Sequence, residues 1–208
     1  MDNLELKIFR TGDLDVNAYV VFNKGNKDCF LVDCPKPINE YLDFIKENKL
    51  NLKFIIITHG HYDHIEGLND LLKEFPVFFY IHKEDRNMLV NPMENGSLIM
   101  SKPVVINQEP KYLEDKQIIN FGENKLEVIH TPGHSCGGIS IKIKNWLFSG
   151  DTLFYHTVGR TDLPFSNKEQ LKDSIKQKFF SLDKQIRVFP GHGRETTIGE
   201  EMTENPFI

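Results

Sequence analysis

Cysteine is scarce. Only Cys29, Cys34 and Cys136 occur in 208 residues, an odd number with no C-x-x-C spacing, which argues against a disulfide scaffold or a thiolate zinc site. Long apolar runs are missing as well, and none approaches the roughly 20 residues needed to span a bilayer. The start, Met1-Asp2-Asn3-Leu4-Glu5, has neither the basic nor the apolar stretch of a secretory leader. A cytoplasmic location is expected. Basic charge is not in excess either, because 25 Lys and Arg stand against 30 Asp and Glu for a net charge of -5. A mildly acidic surface repels phosphate backbones, so neither nucleic acid nor a membrane is an expected partner.

What remains is ordinary globular composition, 39% hydrophobic and 26% charged, in a chain long enough to bury one substantial core without cross-links. A single domain over residues 1–208 is expected. Strand-like segments fall at Leu4 to Phe9, Ala18 to Phe22 and Phe30 to Val32, separated by turn residues. Ile38 to Asn48 carries apolar residues at helical spacing, Phe54 to Thr58 reads as a buried strand, and Ile65, Leu68 and Leu72 predict a helix with Asp63 and His64 in its first turn. Val77 to Ile81 predicts a strand and His82 to Leu89 a short helix. Val90 to Pro110 has no clear period and reads as a long irregular connection, either a substrate wall or a surface excursion.

Further strands are predicted at Ile118 to Phe121, Leu126 to His130, Ile139 to Ile143, Trp146 to Ser149 and Ile186 to Phe189, with a hairpin turn at Gly122-Glu123-Asn124. Ser166 to Glu169 reads as a capping box opening a helix with Leu171, Ile175 and Phe179 on its apolar side. Strands followed by a helix in each half suggest two sheets with helices outside.

Chemistry concentrates at Thr58-His59-Gly60-His61-Tyr62-Asp63-His64, directly behind the apolar run Phe54-Ile55-Ile56-Ile57. Imidazole and carboxylate are ligands for zinc, iron and manganese. Four such side chains exceed what one ion accepts from a single turn, so two metals are expected. His59 and His61 alternate around Gly60 and can face the same way, whereas Asp63 and His64 at a helix start should diverge toward a neighbouring ion. The same design, an apolar strand ending in a Gly-containing turn with a ligand, recurs at Thr131-Pro132-Gly133-His134, Ser149-Gly150-Asp151 and Pro190-Gly191-His192. Asp33 is a candidate to hold a ligand imidazole by its second nitrogen, or else an ordinary turn residue. His82 and His130 read as histidines bracing loops, Tyr155 and His156 as exposed loop residues or else as lining a substrate cleft, and Cys136 as a small buried side chain.

The motif T-H-G-H-Y-D-H, followed in order by T-P-G-H, S-G-D-T and P-G-H, resembles the metallo-β-lactamase superfamily and, within it, compact glyoxalase II-like hydroxyacylglutathione hydrolases. The resemblance implies an α+β fold, a four-layer αββα sandwich. It implies one metal on His59, His61 and His134, a second on Asp63, His64 and His192, and Asp151 bridging them. The cofactors would be two divalent ions, zinc first, with iron or manganese as alternatives. Two close cations lower the pKa of a shared water, so a hydroxide exists near neutral pH, with Asp63 and Asp151 as the catalytic carboxylates. A thioester suits this machinery, because a thiol of pKa about 8.5 leaves without a proton donor.

The substrate implied is S-D-lactoylglutathione or a related hydroxyacyl thioester. Full-length glyoxalase II enzymes add a C-terminal helical domain that binds glutathione, and no such domain is expected here. Where that family has G-K-x-Y, this chain has Gly159-Arg160-Thr161-Asp162, and a Tyr after the last metal His is replaced by Gly193-Arg194. Arg160 and Arg194 are therefore candidates for holding an acidic thioester, with Tyr155 beside them, or else for structural salt bridges. Two alternatives share the scaffold: a mononuclear iron persulfide dioxygenase using His59, His134 and Asp151, and a lactonase or lactamase-like hydrolase. Nothing in the pattern specifies an oligomeric state.

Overall fold

The structure is a computed structural model that describes residues 3–208. Met1 and Asp2, part of the start read above as lacking a leader, lie outside the described residues. The chain divides into two compact units, one running to Ile81 and including Asn87–Lys111, the other made of His82–Arg86 and Tyr112–Ile208. Among the described residues, no helix is long and apolar enough to cross a membrane.

The first unit contains β1 (Leu4–Thr11), β2 (Val16–Asn23), β3 (Asp28–Val32), α1 (Asn39–Glu47), β4 (Asn51–Ile56), α2 (Tyr62–Ile65), α3 (Leu68–Glu74), β5 (Phe78–His82), α4 (Ser97–Met100) and the start of β6 (Lys111–Leu113). Its sheet runs in the order β1-β2-β3-β4-β5-β6. The β1–β2 and β2–β3 pairs are antiparallel, while β3–β4 and β4–β5 are parallel. A strand with parallel neighbours on both sides is covered on both faces, which is why β4 ends in the apolar run Phe54-Ile55-Ile56, with Ile55 and Ile56 fully buried. Pairing ends at Val32 and Ile56, and Asp33 N–H still reaches the Ile56 carbonyl at 2.9 Å. The exits of β3 and β4 therefore lie side by side, and the His-rich loop starts there.

The helix expected after that loop is broken in two. Gly67 N–H donates to the Cys34 carbonyl at 2.8 Å, and a Cβ at Gly67 would stand 2.7 Å from the Pro35 carbonyl and 2.8 Å from that of Cys34. This close approach interrupts the helix and ties α2, with Asp63 and His64, to the chain just after Asp33. The irregular stretch after Leu89 holds only α4. It is pinned by buried Asn95, whose side chain donates to the carbonyls of Met88 and Val104 and accepts from Ser97 N–H.

The second unit contains β7 (Ile118–Phe121), β8 (Asn124–His130), β9 (Ile139–Ile143), β10 (Trp146–Gly150), β11 (Leu153–Phe154), β12 (Thr157–Val158), α5 (Lys168–Asp173), β13 (Arg187–Pro190), β14 (Thr196–Thr197) and α6 (Ile198–Glu204). Its main sheet has the order β14-β13-β10-β9-β8-β7 and is mixed, with β10 and β13 parallel. Leu147, Val188, Leu171, Ile175, Phe179 and Ile198 form the heart of its core. The register between β10 and β13 shifts between Phe148 and Gly150, at the strand end that delivers Asp151.

The expected capping box needs correction. The N-cap of α5 is Asn167, whose side chain accepts from Gln170 N–H, while the Ser166 hydroxyl turns back to the Leu163 carbonyl. The helix then continues as a π-helical segment, Ser174–Phe179, which keeps Leu171, Ile175 and Phe179 on the buried side.

Candidate metal-binding site

Within the first unit the loop after β4 gathers His59, His61, Asp63 and His64, all buried. The His59 ring lies 4.9 Å from that of His61 and 4.2 Å from that of His64. The His59 ring is thus nearer to that of His64 than to that of its own pair member His61, closer than the expected divergence implied. The Asp33 carboxylate, almost fully buried, accepts from Thr58 N–H at 2.8 Å, from the Thr58 hydroxyl at 2.9 Å, and faces His64 Nδ1 at 2.8 Å. A proton on Nδ1 satisfies that contact and leaves His64 Nε2 as the nitrogen that could serve a metal. That nitrogen lies 3.8 Å from Asp63 Oδ2. Asp33 does what a partner to a ligand imidazole should do, and its backbone pays with a left-handed φ of 58°.

The second unit repeats the arrangement from three strand ends. His134 follows β8, and its Nδ1 donates to the Arg160 carbonyl at 2.9 Å, again leaving Nε2 outward. His134 Nε2 is 3.4 Å and His192 Nε2 3.5 Å from the same oxygen, Asp151 Oδ2. Both separations exceed a good hydrogen bond. They match two donors on one ion, since ligand atoms about 2.1 Å from a tetrahedral metal lie roughly 3.4 Å apart. The residues present therefore fit a metal.

Two buried features here were not read from the sequence. Asp85 accepts from the Ser135 hydroxyl at 2.7 Å and from Gly137 N–H at 2.6 Å, fixing the turn that carries His134. A chain of hydroxyls, Thr152 to Thr131 at 3.0 Å and Thr131 with Ser140 at 3.1 Å, ties the exits of β8 and β10 to the start of β9. The excess of Ser and Thr at strand ends was the only available signal.

The remaining candidates separate clearly. His82 and His130 stack at 4.0 Å with an interplanar angle of 14°, and His130 Nε2 donates to the Cys136 carbonyl at 2.9 Å, so both brace loops as expected. Burial, with His130 next, pushes the His82 pKa down to about 4. Cys136 is exposed, contrary to expectation, because its sulfur faces the Phe165 carbonyl at the surface and not a core. Partial burial raises its thiol pKa, which does not favour a reactive thiolate. Cys29 and Cys34 are buried and free, with their thiols pushed up to about 12. Arg160 forks onto Asp162, Nε to Oδ1 at 2.7 Å and Nη2 to Oδ2 at 2.8 Å, and holds that carboxyl at a pKa of about 2. Arg194 lies over the Tyr155 ring at 3.4 Å, and Tyr155 stacks on His156.

A family model described as the metallo-beta-lactamase superfamily matches residues 11–192. The chain belongs to the metallo-beta-lactamase superfamily. Its two mixed sheets with accompanying helices are of that superfamily's fold. It is 33% identical over 200 residues to "Probable metallo-hydrolase YqgX" of Bacillus subtilis, covering 95% of this chain and 94% of the relative. It is 31% identical over 186 residues to "Hydroxyacylglutathione hydrolase GloC" of Haemophilus influenzae, covering 88% of each. Among solved structures it resembles the BLEG-1 B3 metallo-beta-lactamase, with a TM-score of 0.92, 33% identity and coverage of 98% and 99%. It also resembles TTHA1623 in a di-iron-bound form, with a TM-score of 0.87, 30% identity and coverage of 97% and 100%. Superfamily membership and the His/Asp donor clusters together support a metallo-hydrolase.

Proposed function

We propose that the two units are halves of one superfamily domain and that their donors make a binuclear metal centre hydrolysing thioesters, S-D-lactoylglutathione or a related hydroxyacyl thioester. His59, His61 and His134 would hold one ion, and Asp63, His64 and His192 the other, as the family motif running through both units supports. The observation that carries the reading is Asp151 Oδ2, which faces one histidine of each set at 3.4 and 3.5 Å, as a shared ligand must. The family match running through both units supports treating them as one domain. Zinc fits the donors, and iron is supported by the di-iron form of TTHA1623.

Two such cations, when bound, bring the pKa of a shared water near neutrality and polarise a carbonyl. The protein's own contribution is orientation and charge. Asp63 Oδ2 lies 3.8 Å from His64 Nε2, and its carboxylate would orient the attacking water. Asp33 and the Arg160 carbonyl hold His64 and His134 as Nε2 ligands throughout. A thioester needs no proton donor for its leaving group, since its thiol, of pKa about 8.5, departs as thiolate. The hydroxyacylglutathione hydrolase among the relatives supports this substrate class.

The test is elemental analysis beside a substrate panel of thioester, lactone, lactam and glutathione persulfide. Two ions per chain with thiol release, and a loss of more than about 100-fold in kcat for Asp151→Asn at a ligand position, are expected. One iron per chain with oxygen uptake on the persulfide would overturn the reading, and turnover of the lactam alone would move the chain to another hydrolase class.

A further inference from the structure

Of the two arginines near the candidate ligands, Arg160 has its internal acid in Asp162. Arg194 has none. Its neighbour Glu195 pairs with Arg187 at 2.5 Å, and no ion pair or side-chain hydrogen bond of Arg194 is found among the described residues. The guanidinium is nevertheless held in place. It lies 3.4 Å over the Tyr155 ring, which stacks on His156 at 3.8 Å and 20°. His156 N–H is held by both oxygens of Glu201, at 3.2 and 3.0 Å, and Glu201 is buried and also accepts from Thr196 and Asn205. Four layers thus run from a buried acid to an exposed cation.

A guanidinium lying flat on an aromatic ring keeps its N–H donors at its edges, where a carboxylate can take two at once. Arg194 is two residues from His192, whose ring also packs against Phe154 at 6.1 Å. We propose that Arg194, laid on Tyr155 beside His192, is an anion-recognition site that selects thioesters bearing a carboxylate. The proposal rests on the thioester reading above and adds to it the residue that would set specificity.

The experiment uses the metal-loaded chain and two pairs of thioesters, one with a carboxylate or its primary amide at the end of the thiol arm, the other with the same exchange on the acyl arm. Wild type is expected to favour the acid over the amide by about 10- to 100-fold in kcat/KM in one pair, mainly through KM, as a charge-assisted fork implies. That pair identifies the arm the site reads. In Arg194→Gln the acid-to-amide ratio should collapse toward one, Arg194→Lys should keep part of it, and Tyr155→Leu should lower it by removing the platform. An unchanged ratio in Arg194→Gln overturns the site. Should wild type cleave no thioester, the hydrolase reading fails separately. Calorimetry with mercaptoacetate and its amide then decides the site, which stands if Arg194→Gln weakens the acid alone and falls if both or neither weaken.

Discussion

Asp33 shows how much a single buried carboxylate organises. Its two oxygens meet the Thr58 backbone, the Thr58 hydroxyl and His64 Nδ1, all within 2.9 Å. Removing the charge while keeping the shape isolates its effect on the imidazole, and asparagine tolerates the left-handed backbone at this position. Asp33→Asn is expected to weaken metal retention at the His64 position by about 10- to 100-fold and to cost about 1–3 kcal/mol of stability from the mismatched hydrogen bond. Competition against a chelator and a thermal melt would measure both; full retention of metal would show that Asp33 only braces the turn. Asp33 was legible in the sequence because it ends an apolar strand. Asp85 was not, because Ser135 and Gly137 lie 50 and 52 residues away and no local pattern announces such a contact.

At the scale of elements, the second unit stacks the ring of His82 on that of His130 at the end of β8. His82 is held neutral by burial, with His130, Lys83 and Lys178 also disfavouring its charge and Asp115 opposing them. Its folded pKa is about 4 against 6.5 for an ordinary histidine. The unfolded chain therefore binds the extra proton first. No penalty exists above about pH 6.5, and stability is lost progressively as pH falls toward about 4. His82→Gln should show a smaller drop in urea midpoint between pH 7 and 5 than wild type; an equal drop would place the titration elsewhere. Element identity was largely legible, since β7 and β9 fall on their expected bounds, Ile118–Phe121 and Ile139–Ile143. The strands missed, β6, β11, β12 and β14, have two or three residues, too short for any period to register. The break at Gly67 was hidden because it depends on contact with Cys34 and Pro35, which helical spacing does not encode.

At the scale of the whole chain, the candidate donors and their strand-end positions could be read from the sequence, because each follows an apolar run. The approach of His134 and His192 to Asp151 Oδ2 was implied by the family resemblance alone, since the spacing of three strands says nothing of where their ends converge. Under the proposed reading, Asp63, His64, His59 and His61 come from one unit and His134, Asp151 and His192 from the other, so bound metal should stabilise the folded chain as a whole. A ligand that binds only the native state adds about 4 kcal/mol at a thousandfold excess over its dissociation constant. For a chain of 208 residues each kcal/mol moves Tm by about 2–4 °C. Stripping the metal with a chelator should therefore lower Tm by about 8–16 °C in a single transition, and adding zinc, iron or manganese back should restore it. If only part of the melting curve moved, with the rest unaffected by metal, the donors would be serving one unit and the shared centre would be wrong.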